Sequence, residues 1–134
     1  MTSCGEGWIQ YGYHCYYLNM SSAAWDDAMQ TCHGLGAYLV AINSAEENEW
    51  IRLKRESEFW PINQIWTGGT DRNDEGSFIW ENSKKALNYS NWGPGEPNDD
   101  STSEDCLTLY FSGGNWNDEK CHLERPFVCE KTFF

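Results

Sequence analysis

Six cysteines constrain the fold of this chain more than any other feature of its sequence. They stand at wide and unequal spacings, at Cys4, Cys15, Cys32, Cys106, Cys121 and Cys129. No C-x-x-C pair occurs, and no close cysteine pair is followed by two histidines at zinc-finger spacing, which argues against a zinc domain. An even number of widely spaced cysteines is typical of disulfide-bonded proteins in oxidising compartments. We therefore expect three disulfides in a secreted or extracellular chain.

The spacing alone does not choose among the 15 pairings that six cysteines allow. Locality favours Cys4–Cys15 and Cys106–Cys121, which leaves Cys32–Cys129 to tie the ends of the chain together. Two sequons for N-linked glycosylation, at Asn19 and Asn88, are compatible with secretion. The first residues lack the basic and apolar regions of a signal peptide. We interpret them as the start of a mature chain with an added methionine, or of one whose signal has been removed.

Charge and hydropathy exclude several classes of protein. The 134 residues include 9 basic and 21 acidic side chains, for a formal net charge of −12. Such a charge disfavours binding to nucleic acid, because Lys and Arg supply that affinity. No apolar run approaches the roughly 18 residues needed to span a bilayer. A hydrophobic fraction of 40% at this length predicts a single packed domain over residues 1–134.

The first half of the chain predicts both helices. One helix is capped by Ser21 or Ser22 and stopped by the glycines at 34 and 36. The other opens with a capping box, in which Ser44 is the N-cap and Glu47 the third helical residue, and continues to Arg55. Strand-like runs predict a short aromatic strand or hairpin at 8–18, and strands at 38–42, 78–80, 106–111 and 126–131. Helices first and strands afterwards predict an α+β domain.

A long polar stretch from Gly68 to Asp105 leads into an acidic region. Between residues 94 and 119 there is no Lys or Arg, and the acids are Glu96, Asp99, Asp100, Glu104, Asp105, Asp118 and Glu119. Carboxylates packed this closely repel one another unless a cation neutralises them, although a solvated acidic loop is the simpler alternative. Interleaved asparagines add amide oxygens, and hard oxygen ligands favour calcium over zinc. A loop of this length is uncommon unless it is functional or externally stabilised.

Four segments stand out together: Trp66-Thr67-Gly68-Gly69, Glu96-Pro97-Asn98, Glu104-Asp105-Cys106 and Trp116-Asn117-Asp118. With the cysteines, they resemble the calcium-dependent carbohydrate-recognition domain of C-type lectins, over nearly the whole chain. The resemblance implies a C-type lectin-like fold, with two helices, antiparallel sheets and a long calcium-stabilised loop region. It also implies the three disulfides that locality favours, in the family's longer form.

The resemblance further implies two calcium sites, of which the first is the more secure. The principal site, which also contacts the sugar, would consist of Glu96, Asn98, Glu104, Asn117 and Asp118. The auxiliary site would consist of Asp71, Glu75, Asp99, Glu104 and Asp105. An ordinary polar turn is the alternative for residues 71–75. Pro97 is expected to be cis, which would turn Glu96 and Asn98 toward the same ion.

The same resemblance predicts how a ligand binds. Two neighbouring sugar hydroxyls would complete the calcium shell. The carboxylates would accept hydrogen bonds from these hydroxyls, and the amide groups would donate hydrogen bonds to the hydroxyl oxygens. In the family, Glu-Pro-Asn goes with mannose, glucose, N-acetylglucosamine and fucose, and Gln-Pro-Asp with galactose. We therefore expect a mannose-type sugar first, on glycoproteins or microbial surfaces, as in innate immunity. Trp116 is expected to be buried core rather than a platform on which a sugar ring stacks.

Other functions fit parts of the sequence. A glycosidase could use Glu96 and Glu104 as acid and base, but no nucleophile–histidine set is evident, so we expect a binding protein and no enzyme. His14, His33 and His122 are interpreted as structural or surface residues. A galactose-binding variant, or a lectin-like domain that binds proteins or ice, is a further alternative. A single weak site favours a homo-oligomer, for which residues 133–134 are a candidate interface.

Overall fold

The computed structural model describes residues 4–58, 64–74, 76–95, 105–110 and 113–132. Over these ranges two helices accompany one eight-stranded sheet. The main path of the sheet runs β1 (Ile9–Tyr11), β2 (His14–Ala23), β8 (Arg125–Thr132), β4 (Gln64–Thr70), β6 (Cys106–Tyr110) and β7 (Trp116–Glu119); β3 (Tyr38–Leu39) joins β8, and β5 (Ile79–Trp80) joins β4. Neither helix is long and apolar enough to cross a membrane.

The α+β class is confirmed, and the sheet differs from the expectation in one respect. Most ladders are antiparallel, but β4 lies parallel to β8, with Trp66 opposite Phe127. The sheet is therefore mixed and continuous rather than a set of antiparallel sheets. This central parallel contact arises because β8 returns from the end of the chain to lie between β2 and β4.

The first helix, α1 (Trp25–Gly34), begins later than Ser21 and Ser22 predicted. Both serines belong to β2, whose pairing with β8 continues as far as Ala23, and the N-cap residue Ala24 makes no side-chain cap bond. The first turn is instead capped from outside, because the N–H of Trp25 donates to the carbonyl of Cys121 at 2.9 Å. The predicted stop is confirmed, since the helix ends at Gly34.

The second helix, α2 (Ala45–Glu58), begins where the capping box predicted. The N–H of Glu47 donates to Oγ of Ser44 at 3.1 Å. In a capping box the side chain of the third helical residue normally accepts the N–H of the N-cap residue. Here Oε1 of Glu47 instead accepts the N–H of Asn43, the residue before the N-cap, at 2.8 Å. Oε2 accepts the hydroxyl of Tyr16 at 2.5 Å. This buried glutamate therefore ties the start of α2 to β2.

A second buried carboxylate, Glu130 of β8, lies in the same region. Its Oε1 accepts the N–H of Ala41 at 3.0 Å, and its Oε2 lies 2.6 Å from Nδ1 of His14. Burial, and then the charge of Glu130, raises the pKa of Glu47. The contact with Glu130 raises the pKa of His14 although burial opposes it. These buried polar contacts therefore join the sheet to α2, and the charge of Glu130 affects the protonation of both His14 and Glu47.

Two strands, β4 and β7, were not predicted from the sequence. β4 contains polar residues and two glycines, yet all seven of its residues are buried. The glycines allow close packing: a Cβ at Gly68 would lie 2.8 Å from the carbonyl oxygen of Leu39, and one at Gly69 would lie 2.7 Å from Leu107. The predicted strand at 38–42 is shorter, because β3 ends at Leu39.

The disulfides pair as predicted, as Cys4–Cys15, Cys32–Cys129 and Cys106–Cys121, and no cysteine is free. Cys32–Cys129 joins α1 to β8 within a buried cluster that includes Trp25, Trp66 and Phe127. Cys106–Cys121 joins the start of β6 to the chain just beyond β7. The latter bridge closes the edge of the sheet that carries the predicted ligands Asn117 and Asp118.

Candidate functional site

The strand β7 carries two of the predicted principal calcium ligands on opposite faces. It pairs with β6 so that Asp118 lies opposite Leu107 and Asn117 opposite Thr108. Asp118 is fully buried, whereas Asn117 is half-buried and donates from Nδ2 to Oε2 of Glu119 at 3.1 Å. Because successive strand residues point to opposite faces, the side chains of Asn117 and Asp118 leave the strand on opposite sides.

Trp116 anchors this strand from within the core. Its ring is fully buried, and its Nε1 donates to Oδ1 of Asn48 on α2 at 2.7 Å. Nδ2 of Asn48 donates to the carbonyl of Gly114 at 3.0 Å, just before the strand. The expectation that Trp116 is a core residue is confirmed, and the helix α2 fixes the position of the residue next to Asn117.

The segment that leads to Glu96 lies beside the same strand. The N–H of Trp116 donates to the carbonyl of Asn91 at 2.8 Å, and the N–H of Gly93 donates to the carbonyl of Trp116 at 2.9 Å. The ring of Trp92 meets that of Trp116 edge-on, with centroids 6.0 Å apart. The chain is therefore held against β7 as far as Gly93, three residues before Glu96.

Two of the predicted auxiliary ligands also lie together. The N–H of Asp71 donates to the carbonyl of Asp105 at 3.1 Å, and Oγ1 of Thr70 donates to the same carbonyl at 2.7 Å. Asp71 is almost fully buried, and its Oδ2 accepts the N–H of Gly76 at 2.9 Å. The end of β4 and the start of β6 thus hold the backbones of Asp71 and Asp105 side by side at one end of these strands.

The remaining predicted ligands lie outside the described residues. These are Glu75, Glu96, Asn98, Asp99 and Glu104, together with the predicted cis Pro97. Within the part of the chain that the structure describes, no three His, Cys, Asp or Glu side chains gather as a metal site. The composition of both calcium sites therefore stays a prediction.

The described residues fit a hard cation in their chemistry. Oδ1 of Asp105 is buried, and no described residue donates a hydrogen bond to it. A buried carboxylate oxygen that lacks a donor is costly unless a cation satisfies it. Asp118 adds a carboxylate that is shielded from water, and Asn117 adds an amide oxygen. Carboxylate and amide oxygens of this kind suit calcium.

Sequence reasoning did not identify Asn48 and Asn91, which position the site without belonging to it. Nδ2 of Asn91 donates to the carbonyl of Gly114 at 2.8 Å, beside the bond from Asn48. The available signal for Asn48 is its place in α2 beside Glu47, since both are polar residues on the buried face of the helix. Asn91 lies in a polar stretch without periodicity, which offers no such signal.

Comparison with known proteins identifies the family. The sequence profile of the family described as Lectin C-type domain matches residues 21–131. This chain belongs to the C-type lectin domain family. Its fold, its three disulfides and its lectin relatives support carbohydrate binding, and C-type lectin domains are typically non-enzymatic.

Two curated relatives match almost the whole chain. A perlucin-like protein of Mytilus galloprovincialis is 34% identical over 131 residues, which cover 96% of this chain and 83% of that protein. C-type lectin domain family 4 member M of Nomascus concolor is 35% identical over 132 residues, which cover 96% of this chain and 31% of that protein. The chain thus spans about a third of the latter relative.

Two solved structures superpose closely on this chain. The C-type carbohydrate-recognition domain of cow CD23, determined in the presence of a GlcNAc2Man3 oligosaccharide, superposes with a TM-score of 0.88 at 35% identity and covers 98% of both chains. A calcium-independent type II antifreeze protein superposes with a TM-score of 0.87 at 26% identity, covering 98% of this chain and 96% of the other. The fold is therefore compatible with more than one ligand.

Proposed function

We propose that residues 1–134 form a single carbohydrate-recognition domain that binds sugars through calcium. The observation that carries this proposal is the fixed position of Asn117 and Asp118. Trp116, bonded to Asn48, holds the start of their strand, and the Cys106–Cys121 bridge holds its end. Two hard-oxygen side chains are thereby held on one short strand, next to the chain that leads into Glu96-Pro97-Asn98.

In this proposal, the principal ion is held by Glu96, Asn98, Glu104, Asn117 and Asp118. A second ion is held by Asp71, Glu75, Asp99, Glu104 and Asp105. Bound calcium supplies coordination positions for two neighbouring hydroxyl groups of a sugar. Of the auxiliary ligands, Asp71 follows the end of β4 and Asp105 precedes β6, and an ion bound there would brace the intervening loop.

The proposed ligand side chains distinguish sugars by the relative orientation of their hydroxyl groups. Glu96 and Glu104 accept hydrogen bonds from the hydroxyl groups of the sugar, and Asn98 and Asn117 donate hydrogen bonds to the hydroxyl oxygens. The hydrogen bond from Asn117 to Glu119 orients the amide so that its oxygen points away from Glu119. This alternation of acceptors and donors favours hydroxyls at one relative angle over another.

The segment Glu96-Pro97-Asn98 supports a mannose-type sugar, which includes N-acetylglucosamine and fucose. A single shallow site of this kind binds a monosaccharide with a Kd of about 1 mM, or about −4 kcal/mol. Presentation of several copies, for example as a homo-oligomer, would convert weak sites into useful avidity for glycoproteins or microbial surfaces. The three disulfides support an extracellular location.

A glycan array measured with calcium and with EDTA tests the proposal. We expect mannose-type ligands to bind in calcium and to be lost in EDTA. Binding should also weaken at pH 5 in limiting calcium, because protons compete with the ion for carboxylates. Unchanged sugar binding in EDTA would contradict the calcium mechanism. The double variant Glu96→Gln with Asn98→Asp should shift the preference toward galactose while calcium dependence is retained.

The structural match to a calcium-independent antifreeze protein favours one alternative, a lectin-like module for ice or protein. The two proposals predict different results on the glycan array and different effects of removing calcium. A protein of the alternative class would bind no glycan in calcium, and would alter ice growth or capture a protein equally well in EDTA. Release of product from a labelled oligosaccharide would instead identify an enzyme, which we do not expect.

A further inference from the structure

The two glycosylation sequons occupy very different places in the fold. Asn19 lies within β2, opposite Phe127 of β8, and its side chain is half-buried. Its Oδ1 accepts the N–H of Ser21 at 2.9 Å, so the amide is engaged in a local turn. This bond occupies the amide oxygen and leaves Nδ2 free, but Asn19 is half-buried in a strand paired with β8, so a glycan has less room here than on an exposed loop residue.

Asn88 is exposed, and so is Ser90, the hydroxyl residue of its sequon. The segment has no regular structure and lies between two isolated bridges, Ile79 with Ala86 and Trp92 with Trp116. Within the described residues, the side chain of Asn88 makes no hydrogen bond. The fold therefore leaves this amide nitrogen accessible and holds the backbone on both sides of it.

Asn88 also lines an open cleft of about 410 Å³. Its walls include Phe78, Leu87, Tyr89 and Trp92, and the rings of Phe78 and Trp92 meet edge-on with centroids 4.9 Å apart. A volume of this size accommodates a sugar ring. The apolar face of such a ring can pack on aromatic side chains, which removes their surface from water.

We propose that Asn88, and not Asn19, carries an N-linked glycan whose first sugar lies over this cleft. In the attachment step a bond forms between Nδ2 of Asn88 and C1 of the first sugar. The bond between that C1 and the diphosphate oxygen of a lipid-linked oligosaccharide donor breaks. The lipid diphosphate leaves, and the amide nitrogen gives up one proton to a base of the transferring enzyme. Neither calcium nor sugar binding by the domain is required.

Secretion of the chain from mammalian cells behind a signal sequence tests the site. The intact mass before and after treatment with a peptide amidase for N-glycans should reveal one glycan. Asn88→Gln and Ser90→Ala should each remove it, whereas the matched variants Asn19→Gln and Ser21→Ala should retain it. A glycan on Asn19, or none on the parent chain, would overturn the assignment.

Thermal unfolding tests the position of the first sugar. Trimming the glycan to its first sugar should leave Tm unchanged. Complete removal, which converts Asn88 to aspartate, should lower Tm by about 3 °C, the size expected for one modest contact in a domain of this length. The variant Asn88→Asp supplies the same charge without any glycan, and should match the fully deglycosylated protein. Equal Tm values for the trimmed protein and Asn88→Asp would overturn the contact with the cleft.

Discussion

The indole Nε1 of Trp116 donates a hydrogen bond to Oδ1 of Asn48 at 2.7 Å, and both residues are buried. They are far apart in sequence, and the bond joins α2 to the strand that carries Asn117 and Asp118. The same asparagine holds the turn before the strand through the carbonyl of Gly114. A helix without any predicted ligand therefore sets the position of the candidate site.

Substitution of Asn48 by leucine should weaken the domain through this contact. The buried Nε1 of Trp116 loses its acceptor, whereas the carbonyl of Gly114 keeps the bond from Asn91. We expect the free energy of unfolding in EDTA to fall by roughly 1–3 kcal/mol, as measured by urea titration. Leu53→Ala, on the exposed side of the same helix, should change it by no more than about 0.5 kcal/mol. Equal losses of unfolding free energy in Asn48→Leu and Leu53→Ala would show that the hydrogen bond between Trp116 and Asn48 does not stabilise the domain.

Asp118→Asn should remove a carboxylate from the proposed principal site at nearly constant volume. Because ligand charge governs calcium affinity, we expect calcium to bind at least about tenfold more weakly by titration calorimetry. Sugar binding should weaken with it. Asp74→Asn removes the same charge from an exposed position in the polar turn, and should leave the calcium affinity within about twofold. Similar calcium affinities for the two variants would place the ion elsewhere.

Elements with a local signal could be predicted from the sequence. The cap of α2 is determined by Ser44 and Glu47, which act within one turn, and the end of α1 by Gly34, its last residue, and Gly36 just beyond it. The start of α1 could not be predicted in this way. Its first N–H is satisfied by the distant carbonyl of Cys121, while the pairing of β2 with β8 recruits Ser21 and Ser22 as strand residues.

The strands β4 and β7 show a second reason for failure. β7 consists of Trp-Asn-Asp-Glu, which is unfavourable for a strand by composition, but β6 supplies a partner along its whole length. β4 is buried on both sides, so it shows no alternation of polar and apolar residues. The candidate ligands were found through the family resemblance, whereas Asn48, which acts only through a tertiary contact, was not.

The two short disulfide loops should affect calcium binding differently. Cys4–Cys15 and Cys106–Cys121 join residues separated by 11 and 15 positions. Since the loops are of similar length, removing either bridge by paired alanine substitutions should lower the free energy of unfolding by about 3 kcal/mol. Only the loss of Cys106–Cys121 should also lower the calcium affinity, by about tenfold, because it releases the chain next to Asp105 and Asp118. Equal calcium affinities for the two paired variants would contradict this role.

The contact of His14 with Glu130 should make stability depend on pH. The pKa of His14 is raised above 6.5 in the folded state, mainly by Glu130. Its stabilising contribution is therefore complete below pH 6.5 and is lost as the pH rises through the raised folded pKa. Burial and Glu130 also raise the pKa of Glu47 in the folded state. This carboxyl group therefore also loses stabilising free energy as the pH rises, but over a lower pH range than His14. In EDTA, where calcium carboxylates do not interfere, the free energy of unfolding should fall as the pH rises from 6 to 9.

His14→Gln isolates the histidine part of this dependence. The variant should be less stable than the parent at pH 6, and the two should converge toward pH 9. The difference at pH 6 should stay below about 1 kcal/mol, because the side chain of His14 is 41% exposed and solvent screens the pair. His122 is exposed and makes no ion pair within the described residues, so His122→Gln should follow the parent at every pH. A constant difference between His14→Gln and the parent from pH 6 to 9 would mean that His14 contributes by packing alone, and not through its charge beside Glu130.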